Sequence, residues 1–528
     1  MRDLAYKEQE NKVEKKPDVG ISDDLQVLKK VEGELVFDNI YLSLLLRRHC
    51  RNGAFKNFIY LLEQRIMKKK NNVYDLNLLK ILTTRDNDGF SLLHCAAEGG
   101  SVDIVNALMK AVDEVNKHFE IDERINIDDT TYDGRSVLHF ACKKRHRFLC
   151  TCLLLDDKYK DLILFKKSVQ GWNAAHFAAM GGDIHIMKIL ESKNLDIKTE
   201  TVNGLNILHI ACIHNNTKMC IDLIDREDLS LLLDKSDACG WTIAHFVAMV
   251  GNTVIFNHLI SKKIKMLKTK NQKTILHVCC EYGHEDICKK ILEFFGEMVH
   301  DKDDEDWNVL HYAAKGGNLE IFKKMETFFE GRLCETTRDK RTVLHIACIN
   351  NRVEICQYIC NQKSYKAIIN STGEFRNWTA AHYVAVEERQ DGTEKNLIPI
   401  LVHGGIDLYA TTVDGLTVLG VACEHRNRSI VNFLLNEYNE LLGFGKKYLE
   451  TAAKESNDEY IEAQIKEALQ NYHGKTVSVE VLPEDDGTNI RFVRKQVSEG
   501  NVAIPAEEGR DSTFATKQGL EENEALLG

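Results

Sequence analysis

Apolar and polar positions follow one another along most of this chain in blocks that predict pairs of short helices. Residues 202–223 show the pattern: a turn at Asn203 and Gly204 precedes an apolar run that ends at Cys212. Two asparagines then interrupt the pattern, and a second apolar stripe with helical spacing ends at Leu223. Each block is therefore expected to fold as a helix, a turn and a second helix, with the apolar stripe facing a neighbouring block.

One position of the first predicted helix is nearly constant from block to block, and we call it the key position. It is histidine in nine blocks and glycine in a tenth, and from the second block onwards the key positions lie 32 to 38 residues apart. This period is typical of a solenoid of helix-turn-helix units. A residue that recurs once in every block is explained by a role in the fold of that block. We therefore interpret the histidines as structural rather than catalytic. We number the blocks repeats 1–10 by their key positions: His94, His139, His176, His209, His245, His277, His311, His345, His382 and Gly420.

The run Leu/Ala-His-x-Ala/Val-Ala/Cys, repeated in register over residues 86–436, resembles the ankyrin repeat family. No copy has the proline of the usual Thr-Pro-Leu-His signature, which weakens the preset φ angle of the turn. The resemblance implies an all-α ankyrin-repeat solenoid in which each histidine hydrogen-bonds the turn and the adjacent backbone. It also implies that the chain works by binding, usually to another protein, rather than by catalysing a reaction.

Both sides of the array carry weaker versions of the pattern. Residues 1–35 are rich in charge and lack apolar periodicity, so we expect a disordered N-terminal tail. Residues 36–85 and 437–472 repeat the spacing imperfectly. We interpret them as degenerate N-terminal and C-terminal capping repeats, which an array needs in order to cover its terminal apolar faces.

The last segment, residues 473–528, is an acidic tail with a short alternating pattern. Valine stands at every second position from Val477 before a turn cluster, which predicts a small β-hairpin over residues 476–495. Residues 455–528 carry 16 acidic and 7 basic side chains, so most of the formal net charge of -11 lies there. The array itself is nearly neutral, and we expect no specific binding of nucleic acid.

The cysteines follow the repeat as well. Nine of the sixteen stand three or eleven residues after a key position, as Cys212 and Cys220 do. These are core places in the two helices, where a thiol acts as a small apolar group. We therefore expect reduced, buried cysteines, no disulfide framework, no metal site and no cofactor.

Targeting signals are not apparent in the sequence. No apolar run approaches the ~20 residues that cross a bilayer, and residues 1–16 are charged where a secretory signal would be apolar. We expect a cytoplasmic, monomeric protein without a membrane span.

All four tryptophans stand four residues before a key position, in repeats 3, 5, 7 and 9. The repeats between them use other residues there, such as Leu205 and Lys273, so the fold does not require an aromatic ring. Tryptophan is enriched among residues that dominate binding energy, but each ring could equally cover the turn of its neighbour. Both interpretations stay open. The candidate partner-binding tryptophans are Trp172, Trp241, Trp307 and Trp378.

The resemblance further implies that the fourth and fifth residues after each key position face the concave, partner-binding side. In repeats 4, 5 and 6 these places are unusually apolar for an exposed surface, while in repeat 2 they are basic. An exposed apolar strip of this kind favours an interaction site. The alternative is that these groups pack on neighbouring turns and that the basic pair is simply solvated. The candidates are Ile213, Met249, Val250, Tyr282, Lys143 and Lys144.

The leading hypothesis is a non-catalytic scaffold or adaptor that holds a partner protein on its concave helix face and turn tips. A second hypothesis is a sensor or regulatory array of a larger membrane-associated assembly, since the chain also resembles the ankyrin arrays of TRPA-type channels. We do not expect an enzyme, because residues outside the array leave little room for a catalytic domain.

Overall fold

Helices make up almost all of the regular secondary structure of the described residues, in agreement with the all-α solenoid that the sequence predicts. Residues 1–35, where a disordered tail is expected, lie outside the part that is described. This part of the computed structural model comprises residues 39–67, 76–117, 126–156, 159–386, 394–473, 477–483 and 490–496.

Two compact units make up the fold. The first consists of residues 1–384 with residues 389–407, and the second of residues 385–388 with residues 408–528. Repeats 1–8 and the cap before them belong to the first unit, and repeat 10 and the segments after it belong to the second.

Each repeat opens with a short first helix that starts directly after Ser, Thr or Asn. These residues cap helices because their side-chain oxygens can accept hydrogen bonds from unpaired backbone N–H groups, as Asn206 does from Leu208 and His209. Several of the helices end at a glycine in the left-handed conformation, such as Gly251 with φ of 83°. The first helices are Leu92–Gly99, Val137–Lys143, Ala174–Gly181, Ile207–Ile213, Ile243–Val250, Ile275–Tyr282, Val309–Gly316, Val343–Ile349, Ala380–Val386 and Val418–Glu424.

A second helix follows after a tight turn and carries the apolar stripe. Ile287 and Ile291, four residues apart, are fully buried, as helical spacing requires. In repeat 9, residues 387–393 before this helix lie outside the described part. The second helices are Val102–Val115, Arg147–Leu155, Ile184–Ser192, Thr217–Ile224, Thr253–Ser261, Glu285–Phe294, Leu319–Glu326, Val353–Asn361, Glu394–Gly404 and Arg428–Glu437.

Short helical turns join some second helices to the next repeat. Two are α-helical and the rest are 3₁₀ turns, which commonly serve as connectors. They are Lys160–Ile163, Glu227–Leu229, Ser230–Leu233, Gly296–His300, Lys363–Ile368, Phe375–Asn377 and Asn439–Gly443.

Neighbouring repeats approach closely at the end of the first helix. A Cβ atom at Gly316 would overlap the carbonyl oxygen of Cys280 in the preceding repeat, so only glycine fits there. Just beyond, a polar side chain reaches back to cap the preceding first helix: Asn216 donates to the carbonyl oxygens of Ala179 and Met180 at 2.8 and 2.9 Å. These contacts satisfy helix-end carbonyls that would otherwise be orphaned.

The N-terminal cap covers the first repeat with four helical segments. Leu46 and Phe58 are fully buried in it. Arg47 is also buried, and its guanidinium donates to the carbonyl oxygens of Thr84 and Phe90 at 3.0 and 2.9 Å. The segments are the α-helices Asn39–Arg51, Phe55–Leu61 and Leu76–Thr83 and the π-helical turn Leu62–Ile66.

In the second unit, repeat 10 is followed by the helices Lys446–Glu455 and Glu459–Asn471. Arg428 holds the last helix by pairing with Asp458 at 2.8 Å. The predicted β-hairpin is present one residue later than expected, as the antiparallel strands Val477–Pro483 and Ile490–Gln496.

Deleting residues 1–85 should cause self-association and lower the melting temperature. Leu92, Leu93 and Ile104 lie on the two helices of repeat 1 and are at most 1% exposed. The deletion removes the cap helices that pack against these two helices. Light scattering coupled to gel filtration measures the association state. Deletion of residues 1–38 alone, which keeps the described cap helices, is the control. A monomeric, equally heat-stable 86–528 chain would contradict the prediction.

Candidate binding surface

Hairpin turns precede the first helices and are joined from repeat to repeat by the backbone. The N–H group at each tip donates to a carbonyl oxygen of the preceding hairpin, as Val202 does to Gln170 at 2.9 Å and Lys270 to Cys239 at 3.0 Å. Eight such bonds, 2.8 to 3.3 Å long, connect the hairpins of repeats 1–9. The tips therefore form one continuous ladder, and side chains along it are held at the repeat spacing.

The nine key histidines anchor this ladder to the helices. The ring Nδ1 of each accepts the backbone N–H of the capping residue three positions earlier, at 3.0 to 3.2 Å. The opposite atom, Nε2, then carries the proton and in six of them donates to a backbone carbonyl oxygen of the next repeat. In five of these the acceptor lies just before the next hairpin, and for His245 it is Lys273, which closes that hairpin. For example, His245 Nε2 lies 3.3 Å from the Lys273 carbonyl oxygen and His277 Nε2 lies 3.2 Å from that of Asp301.

Burial keeps these imidazoles neutral. All nine are at most 1% exposed, and desolvation lowers the pKa to about 4, or about 3 for His139, from the ordinary 6.5. These values are for the histidines of repeats 1–8. A protonated ring would lose the Nδ1 acceptor that the cap needs, so the fold requires the uncharged form.

Stability should therefore fall as the pH falls. Because the folded pKa lies below the unfolded one, the unfolded chain takes up protons first, and the loss runs from about pH 6.5 down to about pH 4, on the order of 1 kcal/mol per histidine per pH unit. Urea unfolding between about pH 7 and about pH 5 measures this dependence. Replacing His277 by Asn removes one titrating group. The slope of the unfolding free energy against pH should therefore fall by up to the contribution of one bound proton. An unfolding free energy that stays flat over this range would contradict the expectation.

The tryptophans lie against the aromatic residue that follows the key histidine in their own repeat. Trp241 lies 5.3 Å from Phe246, and Trp307 lies 5.3 Å from Tyr312, between ring centroids. Trp241 is only 3% exposed, so its ring packs inside the array and is not available as a surface anchor.

Trp378 is buried to the same degree. For these two residues the partner-binding interpretation is corrected to packing, because each residue is only 3% exposed and its ring lies against the aromatic ring of its own repeat. Trp172 and Trp307 are half-buried and keep an accessible edge.

A second contact explains why the tryptophans alternate. In repeat 7, Tyr312 is held between Trp307 of its own repeat and His277 of the preceding one, with ring centroids 5.1 Å apart for the latter pair. Lys273 of the preceding repeat places its ammonium 4.7 Å from the same ring. Repeats whose key histidine is followed by an aliphatic residue, as His277 is by Val278, have no such ring for a tryptophan to cover.

Replacing Trp241 by Ala should destabilise the protein by about 3 kcal/mol, since a buried aromatic ring and its packing are lost. Trp241→Leu is the matched control, because repeat 4 has Leu205 at this place, 7% exposed, and we expect a cost nearer ~1 kcal/mol. Chemical unfolding measures both variants. Equal stability of Trp241→Ala and the parent would show that the ring does not pack.

The apolar candidates lie at the ends of consecutive first helices. Ile213, Met249, Val250 and Tyr282 are all half-exposed, in repeats 4, 5 and 6. We call these four residues the apolar strip.

The basic candidates lie apart from the strip, in repeat 2. There Lys143 is half-exposed and Lys144 is exposed. The structure thus places the strip residues in adjacent repeats and the lysines at the near end of the array.

The structure also reveals an apolar row that the sequence reasoning missed. Tyr132, Val169 and Val202 occupy the hairpin tips of repeats 2, 3 and 4 and are 70%, 72% and 73% exposed. We call them the tip row. Each stands seven residues before its key position, so apolar residues in otherwise polar hairpins were the signal that could have found them.

Two further properties bear on the class of site. Within the described residues, no group of three or more His, Cys, Asp or Glu side chains is arranged to hold a metal ion. Among the helices that the structure describes, none has the length and apolar character needed to cross a membrane.

Helix pairs capped by a buried histidine and joined by a hairpin ladder define an ankyrin repeat protein. The family profile for ankyrin repeats in three copies matches six overlapping segments between residues 46 and 394, more than half of the chain. The chain belongs to the ankyrin repeat family, whose members typically bind proteins and do not catalyse reactions.

Individual relatives match only in part. The human transient receptor potential cation channel subfamily A member 1 is 24% identical over 39% of this chain and 18% of its own. Ankyrin repeat protein L371 of Acanthamoeba polyphaga mimivirus is 25% identical over 39% of this chain and 26% of its own, and tyrosine-protein kinase HTK16 of Hydra vulgaris is 26% identical over 24% and 17%. The chain thus spans about a quarter or less of each relative's length.

Proposed function

We propose that this protein is a non-catalytic scaffold that holds a partner protein on the tip row and the apolar strip. The observation that carries the proposal is the tip row, in which three apolar side chains at the same place of consecutive repeats are more than two-thirds exposed. Exposed apolar groups at one face are a cost in water unless a partner covers them, and contiguous patches of this kind are typical of interaction sites.

The ladder supports this proposal energetically. Since its backbone bonds fix the tips before binding, a partner does not have to order them, and preorganised surfaces keep more of their interaction energy as affinity. The half-exposed edges of Trp172 and Trp307 extend the same surface in repeats 3 and 7.

Basic residues at one end of the surface would fix the orientation in which the partner binds. Lys143 and Lys144 lie in repeat 2, the first of the three repeats that carry the tip row. We propose that acidic residues of the partner meet them, which would speed association at low salt.

The finer points of the proposal follow from the same reasoning. The protein acts in the cytoplasm, where its buried thiols stay reduced. It is a monomer that has no cofactor and catalyses no reaction, and its partner is a protein rather than a nucleic acid.

Capture with four baits, the parent chain and three variants of it, tests the function. The tip variant carries Tyr132→Ser, Val169→Ser and Val202→Ser, the strip variant carries Met249→Ala and Tyr282→Ala, and the control carries Val254→Ser on the second helix of repeat 5, where valine is 55% exposed. The parent and the control should capture equal amounts of a true partner, and the tip variant should capture at least about tenfold less. The melting temperature should stay unchanged in the tip variant because its residues are exposed. If no protein distinguishes the tip variant from the control, the proposal is wrong.

A second candidate function is a regulatory array within a membrane-associated assembly. The similarity to part of a human cation channel favours it. Fractionation separates the two candidates: a partner recovered only with membrane proteins favours the assembly, whereas a discrete partner in the soluble fraction favours the scaffold.

A further inference from the structure

Repeats 2, 4, 6 and 8 bring cysteines from their two helices together. The thiols of Cys212 and Cys220 lie 3.7 Å apart in repeat 4, and those of Cys348 and Cys356 lie 3.7 Å apart in repeat 8. The pair in repeat 2, Cys142 and Cys150, is 3.9 Å apart. These are ordinary contacts between buried sulfur atoms.

Repeat 6 differs because it carries a third thiol. Cys279 occupies a place, two residues after the key histidine, that is alanine or valine in every other repeat. Its Sγ lies 2.6 Å from Sγ of Cys288 on the second helix. Cys280, which corresponds to Cys212 of repeat 4, contacts Cys288 as well. The first and second helices of repeat 6 therefore meet through one close sulfur pair with a third sulfur beside it.

A groove gives access to this cluster from outside. It lies between the second helices of repeats 6 and 7, has a volume of about 360 Å³, and is lined by Cys288 together with Leu292 and Met325. The Cys288 side chain is only 2% exposed, and Cys279 behind it is fully buried. Of the three cysteines, Cys288 is the one that lines the groove, so a small molecule entering the groove meets Cys288.

The electrostatics of the cluster favour reaction at Cys288. Hydrogen bonding with the side chains of Cys279 and Cys280 lowers the pKa of Cys288 to about 5. The Cys279 thiol also lies 3.0 Å from the carbonyl oxygen of His284. Burial raises the pKa of both donor thiols. A thiolate is the nucleophilic form of cysteine, and the neighbouring protonated thiol can act as the resolving group.

We propose that Cys288 and Cys279 form a peroxide-reactive pair that closes to a disulfide within repeat 6. In the first step the Cys288 thiolate attacks one oxygen of hydrogen peroxide, the O–O bond breaks, and a sulfenic acid and hydroxide form. In the second step the Cys279 sulfur attacks the sulfenic sulfur, the S–O bond breaks, and the oxygen leaves as water with the thiol proton. Two electrons pass from the two sulfurs to the peroxide.

Geometry sets this pair apart from the other three. A disulfide bond is about 2.0 Å long, so the sulfurs of Cys279 and Cys288 need to approach by only about 0.6 Å, against about 1.7 Å or more in repeats 2, 4 and 8. The bond would tie the two helices of repeat 6 together near Tyr282, which belongs to the apolar strip.

The reduced full-length chain, treated with a small excess of hydrogen peroxide and then blocked with N-ethylmaleimide, tests the proposal. All three cysteines of repeat 6 lie in one tryptic fragment, residues 274–289, so a fragment that contains the disulfide carries one maleimide adduct instead of three. Cleavage after Glu281 and Glu285 separates Cys288 from the other two. We expect the Cys279–Cys288 link to form at least on the order of tenfold faster than links in repeats 4 and 8.

Two variants complete the test. Cys279→Ala introduces the residue that most other repeats carry, so the fold should tolerate it; the link should disappear and a sulfenic acid at Cys288 should become trappable by dimedone. Cys212→Ala is the matched control and should leave the reaction in repeat 6 unchanged. In the parent chain, either of two results would overturn the proposal. One is a disulfide between Cys288 and Cys280, and the other is oxidation in repeat 6 that is no faster than oxidation in repeat 4.

Discussion

The neutral, buried imidazole at the key position is the interaction on which the rest of this structure depends. One ring nitrogen accepts from the cap of its own first helix, and in six repeats the other donates to a backbone carbonyl oxygen just before or at the end of the next hairpin. A single side chain thus fixes the start of a helix and the position of its neighbour. Repeat 10 has Gly420 at this place, and its first helix still begins after Thr417 without this bridge.

Coupling between neighbours is distributed over three kinds of contact. The key histidine joins the first helix of one repeat to the backbone of the next repeat, and the ladder joins the hairpins. Side chains such as Asn216 cap the first helix of the preceding repeat. All of them run between adjacent repeats only, so the stability of the array is close to a sum of repeat and interface terms. The hairpin tips are held rigid by these contacts between adjacent repeats and not by a core that all repeats share.

The period of the sequence was sufficient to predict the helix pairs, the buried cysteines and the family, because each of these depends on residues within one repeat. The burial of Trp241 could not be predicted in the same way. It depends on Phe246 five residues later, which itself packs against His209 of the preceding repeat. The tip row was visible as apolar residues in polar hairpins, but its exposure follows from the ladder, which joins residues about 33 positions apart. The close approach of Cys279 and Cys288 likewise depends on how two helices pack.

Aromatic contacts between repeats divide the first unit in an uneven way. His209, His277 and His345 each meet an aromatic ring of the following repeat, whereas His176, His245 and His311 are followed across the boundary by Ile210, Val278 and Ile346. Repeats 4 and 5, 6 and 7, and 8 and 9 are therefore joined more firmly within each pair than between pairs. Repeats 1, 2 and 3 are linked in the same way without interruption, by His94 with Phe140 and by His139 with Phe177. Pulled from its ends, the array would be expected to yield two repeats at a time over repeats 4–9, so that the doublet rather than the single repeat is the mechanical unit there.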